Sequence, residues 1–317
     1  MDVLIIASGG GHTGYARAIA QYLEEKVDFV VPEGDLLSRK LLEPYARKIF
    51  EVAKGREPSG GSLLLGVLRA LTQSFQLPKY DATVATGSNH SVVPSLIERV
   101  KGSSIYAIES QDRIVTRGKA IHLISRFSRA VFLHWKEQLP LYKNGVVTGP
   151  IVEKPKYDAR DEGYVLFTAG SMGFHRLFKK ALALQVKGVV QTGRLSPDLY
   201  RSQRPDWNFF DYDIDLERWI AHASIVVTHQ GKTAMEAVVM YRKPTVVVYN
   251  SDWTRAASRE DTKIYAELLG AYFLEDPSKW KGDELNTALA SVKEPKPIEP
   301  GTIKLVNYVL KRRLGSG

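Results

Sequence analysis

Short apolar runs recur along the 317-residue chain, each followed by a glycine- or serine-containing turn and then by residues of helical period. The first, MDVLIIA, is β-branched and lacks polar alternation, the pattern of a strand buried on both faces. GYARAIAQYLEEK then sets Tyr15, Ile19, Tyr22 and Leu23 at helical spacing, and VDFVVPEG is a second strand. The same order returns in YDATVATGSNHSVVPSLIERV and in GYVLFTAGSMGFHRLFKKALAL. It returns again in ASIVVTHQGKTAMEAVVMYRKPTVVVYN, while SSIYAIES and RAVFLHW read as further strands. Alternating strands and helices predict an α/β protein with parallel sheets and ligand loops at the C-terminal strand ends.

The pattern divides near Gly149-Pro150, each half opening on a strand and a glycine loop. This predicts two doubly wound, Rossmann-like domains facing a cleft, over residues 1–150 and 151–300. The proline-rich EPKPIEPG then leads to a C-terminal helix within 301–317, and the trailing GSG is assigned no function. The absence of cysteine excludes disulfides, thiolate metal sites and cysteine nucleophiles. MDVLIIASGG has an acid at position 2 and no basic region, unlike a secretory signal, and no apolar run is long enough to span a bilayer. The expected location is therefore cytoplasmic. A formal net charge of +9 favours an anionic partner: nucleic acid, an anionic membrane surface or a phosphorylated substrate.

The first turn, SGGGHTG, carries the Gly9-x-Gly11-x-x-Gly14 spacing of a dinucleotide-binding loop, with Glu33 where a ribose-binding acid would sit. Against a nicotinamide-dependent oxidoreductase stand His12, which such a turn does not need, and the two further phosphate-type loops in the second half. No hydride-transfer constellation accompanies them.

Six motifs in order carry a family resemblance over residues 1 to about 275. ASGGGHTGYARAIA, ATGSNHSVVPSL and YAIES resemble the Alg14 half of the Alg13/Alg14 N-acetylglucosaminyltransferase and, more distantly, MurG. VVTGPIV resembles the MurG interdomain junction. VLFTAGSMGFHRL and THQGKTAMEAVVMYRKPTVVV resemble the Alg13 half. The resemblance implies a GT-B fold in a single chain, with an acceptor and membrane domain first and a donor domain second. It implies inverting transfer of N-acetylglucosamine from UDP-GlcNAc to a polyprenyl- or dolichyl-diphosphate-linked sugar. The expected product is a β-1,4-linked chitobiose for N-glycosylation; the alternatives are a MurG-like muramyl acceptor and a UDP-GlcNAc 2-epimerase.

An inverting transferase needs a base for the acceptor hydroxyl and stabilisation of the departing diphosphate. His12, with a near-neutral pKa and a place on the first loop, is the leading base; a capping or phosphate-binding role is the bland reading. Glu109, after a strand, is the rival base or an acceptor-positioning acid. Gly9, Gly10, Gly11 and Thr13, with Gly87, Ser88, Asn89 and His90, form the expected acceptor and phosphate loops. In the second half Gly170, Ser171, Met172 and Gly173 are expected beneath the donor diphosphate. His229, Gln230, Gly231, Lys232 and Thr233 join them at a strand end and helix start, and the resemblance gives Glu236 the ribose hydroxyls. No cofactor or metal is expected; DYDID precedes a helix rather than ending a strand. Two departures from the resemblance leave the sugar contacts open: Arg259, Glu260 and Asp261 stand where MurG has a paired amide, and His175 stands where an acid is common.

For the lipid, RKLLEPYARKIFEVAKGR places Leu41, Leu42, Tyr45, Ile49, Phe50 and Ala53 on one helical face, edged by Arg39, Lys40, Arg47, Lys48, Lys54 and Arg56. SLLLGVLRALTQSF follows, apolar at Leu63, Leu64, Leu65, Leu68 and Leu71. A basic amphipathic segment beside an apolar one fits peripheral attachment to an anionic membrane, although such stripes commonly face a core. No nucleic-acid motif is present, and no obligatory partner chain is expected because both halves lie in one chain.

Overall fold

The computed structural model describes residues 1–54, 63–253 and 257–311. The chain divides into two compact units. The first comprises Met1–Ser110, Val115–Glu153 and the segment from Pro300, and the second Gln111–Ile114 and Lys154–Glu299.

In the first unit the described residues form a parallel sheet in the order β3-β2-β1-β4-β5-β6-β7. The strands are β1 Val3–Ile6, β2 Val27–Pro32, β3 Ala46–Val52, β4 Ala82–Ala85, β5 Ser104–Ile108, β6 Ala130–Leu133 and β7 Gly145–Val147. β1, β2, β4 and β6 are buried throughout, as their unalternating sequences predict. Leu4, Ile6 and Val30 pack with Ala70, Leu77 and Tyr80, and Ile105, Ala107 and Val131 pack with Ile121 and Ile124. Each such aliphatic side chain contributes about 1.5–3 kcal/mol on burial. Because Ile6 is in register with Ala85, the loops after β1 and β4 leave the sheet side by side.

The second unit's sheet runs β10-β9-β8-β11-β12-β13, all parallel. Its strands are β8 Val165–Thr168, β9 Gly188–Gln191, β10 Asn208–Phe210, β11 Ile225–His229, β12 Thr245–Val248 and β13 Tyr272–Leu274. Val165 and Phe167 join Phe174, Phe178, Trp207 and Phe209 on one face, while Tyr164 and Leu166 join Val189, Ile220 and Tyr241 on the other. The period-2 geometry of a strand thus sends Val165 and Phe167 of β8 to one core and Leu166 to the other.

Three expectations change. The amphipathic helix expected across 39–56 is instead a helix Leu36–Leu42, a 3₁₀ turn Glu43–Tyr45 and edge strand β3. Pro44 stops the helix, since its ring has no N–H to continue the ladder. Arg47 then clasps Asp28 (2.9 and 3.1 Å), which also accepts from Tyr80 at 2.8 Å, fastening β3 to its neighbour. Arg56 and the Leu63 side chain lie outside the described residues. Second, the C-terminal helix, Thr302–Val309, is part of the first unit. Thr302 Oγ1 accepts from Val152 N (3.0 Å), and Tyr308 packs edge-on against Tyr106 and Phe132. Residues 312–317 of the expected helix are not among those described. Third, β7, β9, β10 and β13, each of three or four residues, were not anticipated.

Candidate active-site loops

In the first unit, β1 ends in a loop that enters the helix Gly11–Ala20, with Gly9 at φ +88° and Gly10 at φ +54°. A Cβ on Gly9 would lie 3.1 Å from the Asp35 carboxylate. His12, half-buried in the first turn of that helix, sets Nδ1 2.7 Å from the Thr86 carbonyl oxygen. A carbonyl only accepts, so Nδ1 carries the proton and Nε2 of the neutral ring keeps its lone pair. Burial holds the His12 pKa below the ordinary imidazole value; the Thr86 bond opposes this without reversing it. The ring fits because position 87 is glycine at φ +127°: a Cβ there would collide with the imidazole. Ser8 Oγ donates to Gly87 O (2.7 Å) and meets Ser91 Oγ at 3.0 Å, stitching the two loops together.

Two other expected residues of this unit, Thr13 and His90, are buried. Thr13 is buried with its hydroxyl 2.7 Å from that of Ser38, which donates to Asp35. His90 donates from Nε2 to Val52 O at 3.0 Å, and its buried Nδ1 has no partner. Burial pushes its pKa down to about 4. His90 therefore ties the second loop to β3 through its ring. Gly10, Gly11 and Asn89 remain exposed, and Ser88, at φ 62°, caps the short 3₁₀ turn. Glu33, the acid of the dinucleotide reading, is held by Arg69 at 2.7 and 2.8 Å; the carboxylate beside the glycine loop is that of Asp35.

Glu109 follows β5 and is buried. Its carboxylate accepts from Ser110 N (2.7 Å), Gly118 N (2.8 Å) and Tyr142 Oη. The carboxylate thus ties the backbone of Ser110 and Gly118 to the Tyr142 side chain. His134 Nε2 donates to the Glu109 carbonyl (3.1 Å), while its Nδ1 accepts from Ile151 N (3.2 Å). Tyr15 lies between the rings of His12 and His134, at 6.2 and 5.3 Å.

In the second unit the loop after β8 turns at Gly170 (φ +62°) and Gly173 (φ +75°), leaving Ser171 and Met172 exposed before the helix His175–Ala181. His229, at the end of β11, reaches this loop: a Cβ on Gly170 would lie 3.5 Å from its Nε2. Its Nδ1 is buried without a partner, its ring meets Trp253 at 5.8 Å, and burial pushes its pKa down to about 4. Gln230 exchanges two hydrogen bonds with the Asn250 backbone, at 2.8 and 3.0 Å, so its amide joins the segments that follow β11 and β12. Tyr265 Oη donates to Gly231 O at 2.9 Å. Lys232 opens the helix Lys232–Met235 and pairs with Glu236, which begins a π-helical turn through Met240. Thr233, beside Lys232, is partly exposed. π-Turns of this kind are frequent at functional sites.

The unmatched stretch is structural in part. Asp261 is buried, completes a capping box with Ser258 and accepts from Ile114 N at 2.8 Å. Arg259 pairs with Glu275, and Glu260 is exposed. His175 meets Tyr200 Oη at 2.7 Å. Sequence reading missed Thr86, Gly118, Tyr142, His134 and Asp35. Thr86 stands 74 positions from His12 and acts through its carbonyl, which every residue has, so no motif marks it.

Two parallel-sheet, Rossmann-like units with glycine loops at their strand ends define the GT-B type of architecture. The particular proteins that this chain resembles agree with that class. The UDP-N-acetylglucosamine–N-acetylmuramyl-(pentapeptide) pyrophosphoryl-undecaprenol N-acetylglucosamine transferase of Caldicellulosiruptor saccharolyticus is 24% identical over 332 residues, covering 91% of this chain and 88% of the relative. The crystal structure of Acinetobacter baumannii MurG superposes with a TM-score of 0.67 at 17% identity, covering 98% of this chain and 100% of that one. The UDP-GlcNAc 2-epimerase from Neisseria meningitidis, bound to UDP-GlcNAc, gives 0.63 at 15% identity over 99% and 100% of the two chains. No family model matches the chain.

Proposed function

We propose that the chain is an inverting, metal-independent glycosyltransferase that moves N-acetylglucosamine from UDP-GlcNAc to a polyprenyl-diphosphate-linked sugar. The observation that carries this reading is the neutral His12, its Nδ1–H fixed on the Thr86 carbonyl and its Nε2 left basic within a glycine loop. In the proposed step the acceptor oxygen forms a bond to the anomeric carbon while the bond from that carbon to the β-phosphate oxygen breaks. The electron pair leaves on UDP, and His12 Nε2 takes the acceptor proton. Glu109, held by three donors, is a positioning residue behind this loop. The exposed glycine backbone at 10–11 suits the acceptor diphosphate, and the loops at 170–173 and 229–233 suit that of UDP.

The acceptor of the Caldicellulosiruptor relative favours a muramyl lipid over the chitobiose product expected from the Alg13/Alg14 resemblance. Among the described residues no helix is long and apolar enough to cross a membrane. The helix Leu63–Phe75 exposes Leu64, Leu65, Leu68 and Phe75, and the adjoining helix Val92–Val100 exposes Leu96 and Val100. This apolar surface, on a chain of net charge +9, supports peripheral binding at the cytoplasmic face of an anionic membrane.

The test offers labelled UDP-GlcNAc with EDTA to wild type and His12→Ala, using muramyl-pentapeptide-diphosphate-lipid and GlcNAc-diphosphate-lipid as acceptors. The expected result is transfer to the muramyl lipid by wild type, a fall of about 10²–10⁴ in kcat for the variant, and unchanged UDP affinity. Release of an epimerised sugar without lipid would replace the transferase with an epimerase. Binding of NAD(P) in place of UDP would sink both.

A further inference from the structure

At the C-terminal edge of the second sheet, the loops after β8 and β9 form one interlocked piece. A Cβ on Gly173 would strike the Thr192 carbonyl and the Leu195 side chain. A Cβ on Gly193 (φ +64°) would lie 2.7–2.8 Å from Gly173 N, Ser171 O and Gly170 O. Arg194 N donates to Ser171 O at 2.9 Å, so the backbone of Arg194 is fixed against the glycine loop expected beneath the donor. Its guanidinium differs from three other described cations that stand near strand ends of this unit, in the first turns of helices. Arg176 pairs with Asp252 and Asp276 at 2.8 Å each, Lys232 with Glu236, and Arg259 with Glu275. Arg194 is exposed and, among the described residues, has neither a carboxylate nor a hydrogen-bond partner for its side chain.

We propose that Arg194 is a further donor-binding residue, whose guanidinium takes the diphosphate of the nucleotide-sugar. The inference rests on the sugar-nucleotide reading above. A cation already matched by a carboxylate has most of its field cancelled, whereas an unmatched guanidinium keeps its full charge and a forked set of donors suited to phosphate oxygens. Anchoring its backbone to Ser171 keeps that charge beside the loop without using the side chain. As the bond to the sugar breaks, the β-phosphate gains charge, so the same contact strengthens when UDP departs.

Calorimetric titration of wild type, Arg194→Ala and Arg194→Lys with UDP, UMP and uridine tests this. Arg194→Ala should bind UDP roughly ten- to a hundredfold more weakly, UMP with a smaller loss and uridine as wild type does; Arg194→Lys should fall between. A variant that matches wild type for UDP overturns the inference, and so does a parallel loss of UDP and uridine, which marks loop damage. A wild type that fails to bind UDP overturns the functional reading itself, before any variant is compared.

Discussion

The glycine loops of the two units are held by different forces. In the first, His12 is fixed by a backbone carbonyl and the missing side chain of Gly87, and its neighbours Ser8, Ser91, Thr13 and Ser38 are joined through hydroxyls. In the second, cations on the strand-end loops are matched to carboxylates, as in Lys232–Glu236 and Arg176–Asp276. The difference suits the roles proposed for them. A base needs an uncharged lone pair in one orientation, and a neighbouring full charge would shift its pKa. An anion site needs a positive surplus, and with three cations matched, among the described residues the field is left to backbone dipoles and Arg194.

The most damaging way to break the first arrangement is Gly87→Ala. The new Cβ collides with the imidazole, and φ +127° strains any side chain there. The expected outcome is a loss in kcat of about 10²-fold, from displacement of the ring by about 1 Å, with UDP affinity unchanged. Steady-state kinetics beside UDP titration checks it; an equal loss in UDP affinity would show that the two loop systems are not separable in this way.

The corresponding break in the second unit is Asp276→Asn. Asp276 is buried and accepts from Arg176 and from the backbone of Ser251 and Ser278. Burial by itself raises its pKa, but these donors overturn that and hold it well below the usual carboxylate range. A depressed carboxylate stabilises the fold above its unfolded pKa, near 3.8, and that contribution fades as pH falls below it. At pH 7 the substitution should lower stability by about 2 kcal/mol, less than a fully buried pair because Arg176 is partly exposed and keeps Asp252. Urea unfolding of the two proteins at pH 7 measures this, and coincident midpoints would refute it.

The sheets were legible because β1, β4, β8 and β11 are apolar runs ending in glycine or histidine turns. β3 was not, since Arg47, Lys48, Ile49, Phe50 and Glu51 mix charge and apolar residues as an amphipathic helix does; an edge strand only partly buried leaves no continuous apolar run. The candidate positions were legible through glycine spacing, but their orientation was not. Gln230 and His90 stand in the loops expected to bind ligands yet turn to Asn250 and Val52. Only the neighbours in space decide that, and those neighbours lie 20 and 38 positions away.

The mildest comparison uses His90, whose ring ties the second loop of the first unit to β3. Its pKa is pushed down to about 4 in the fold, against 6.5 as the reference value. Below pH 6.5 the unfolded chain takes up a proton that the folded ring refuses. Stability from this group is therefore complete above 6.5, declines as pH falls from there, and levels off once pH is below about 4. Between pH 7 and pH 5 the decline is about 2 kcal/mol. His90→Gln keeps an amide donor for Val52 O and removes the titration, so its stability should be flatter than wild type over that interval by about the same amount. Since His12 and His229 are unchanged in the variant, their own acid sensitivity cancels in the difference between the two urea-unfolding curves. Parallel pH profiles would mean that position 90 takes up its proton as readily in the fold as in the unfolded chain, and would refute the prediction.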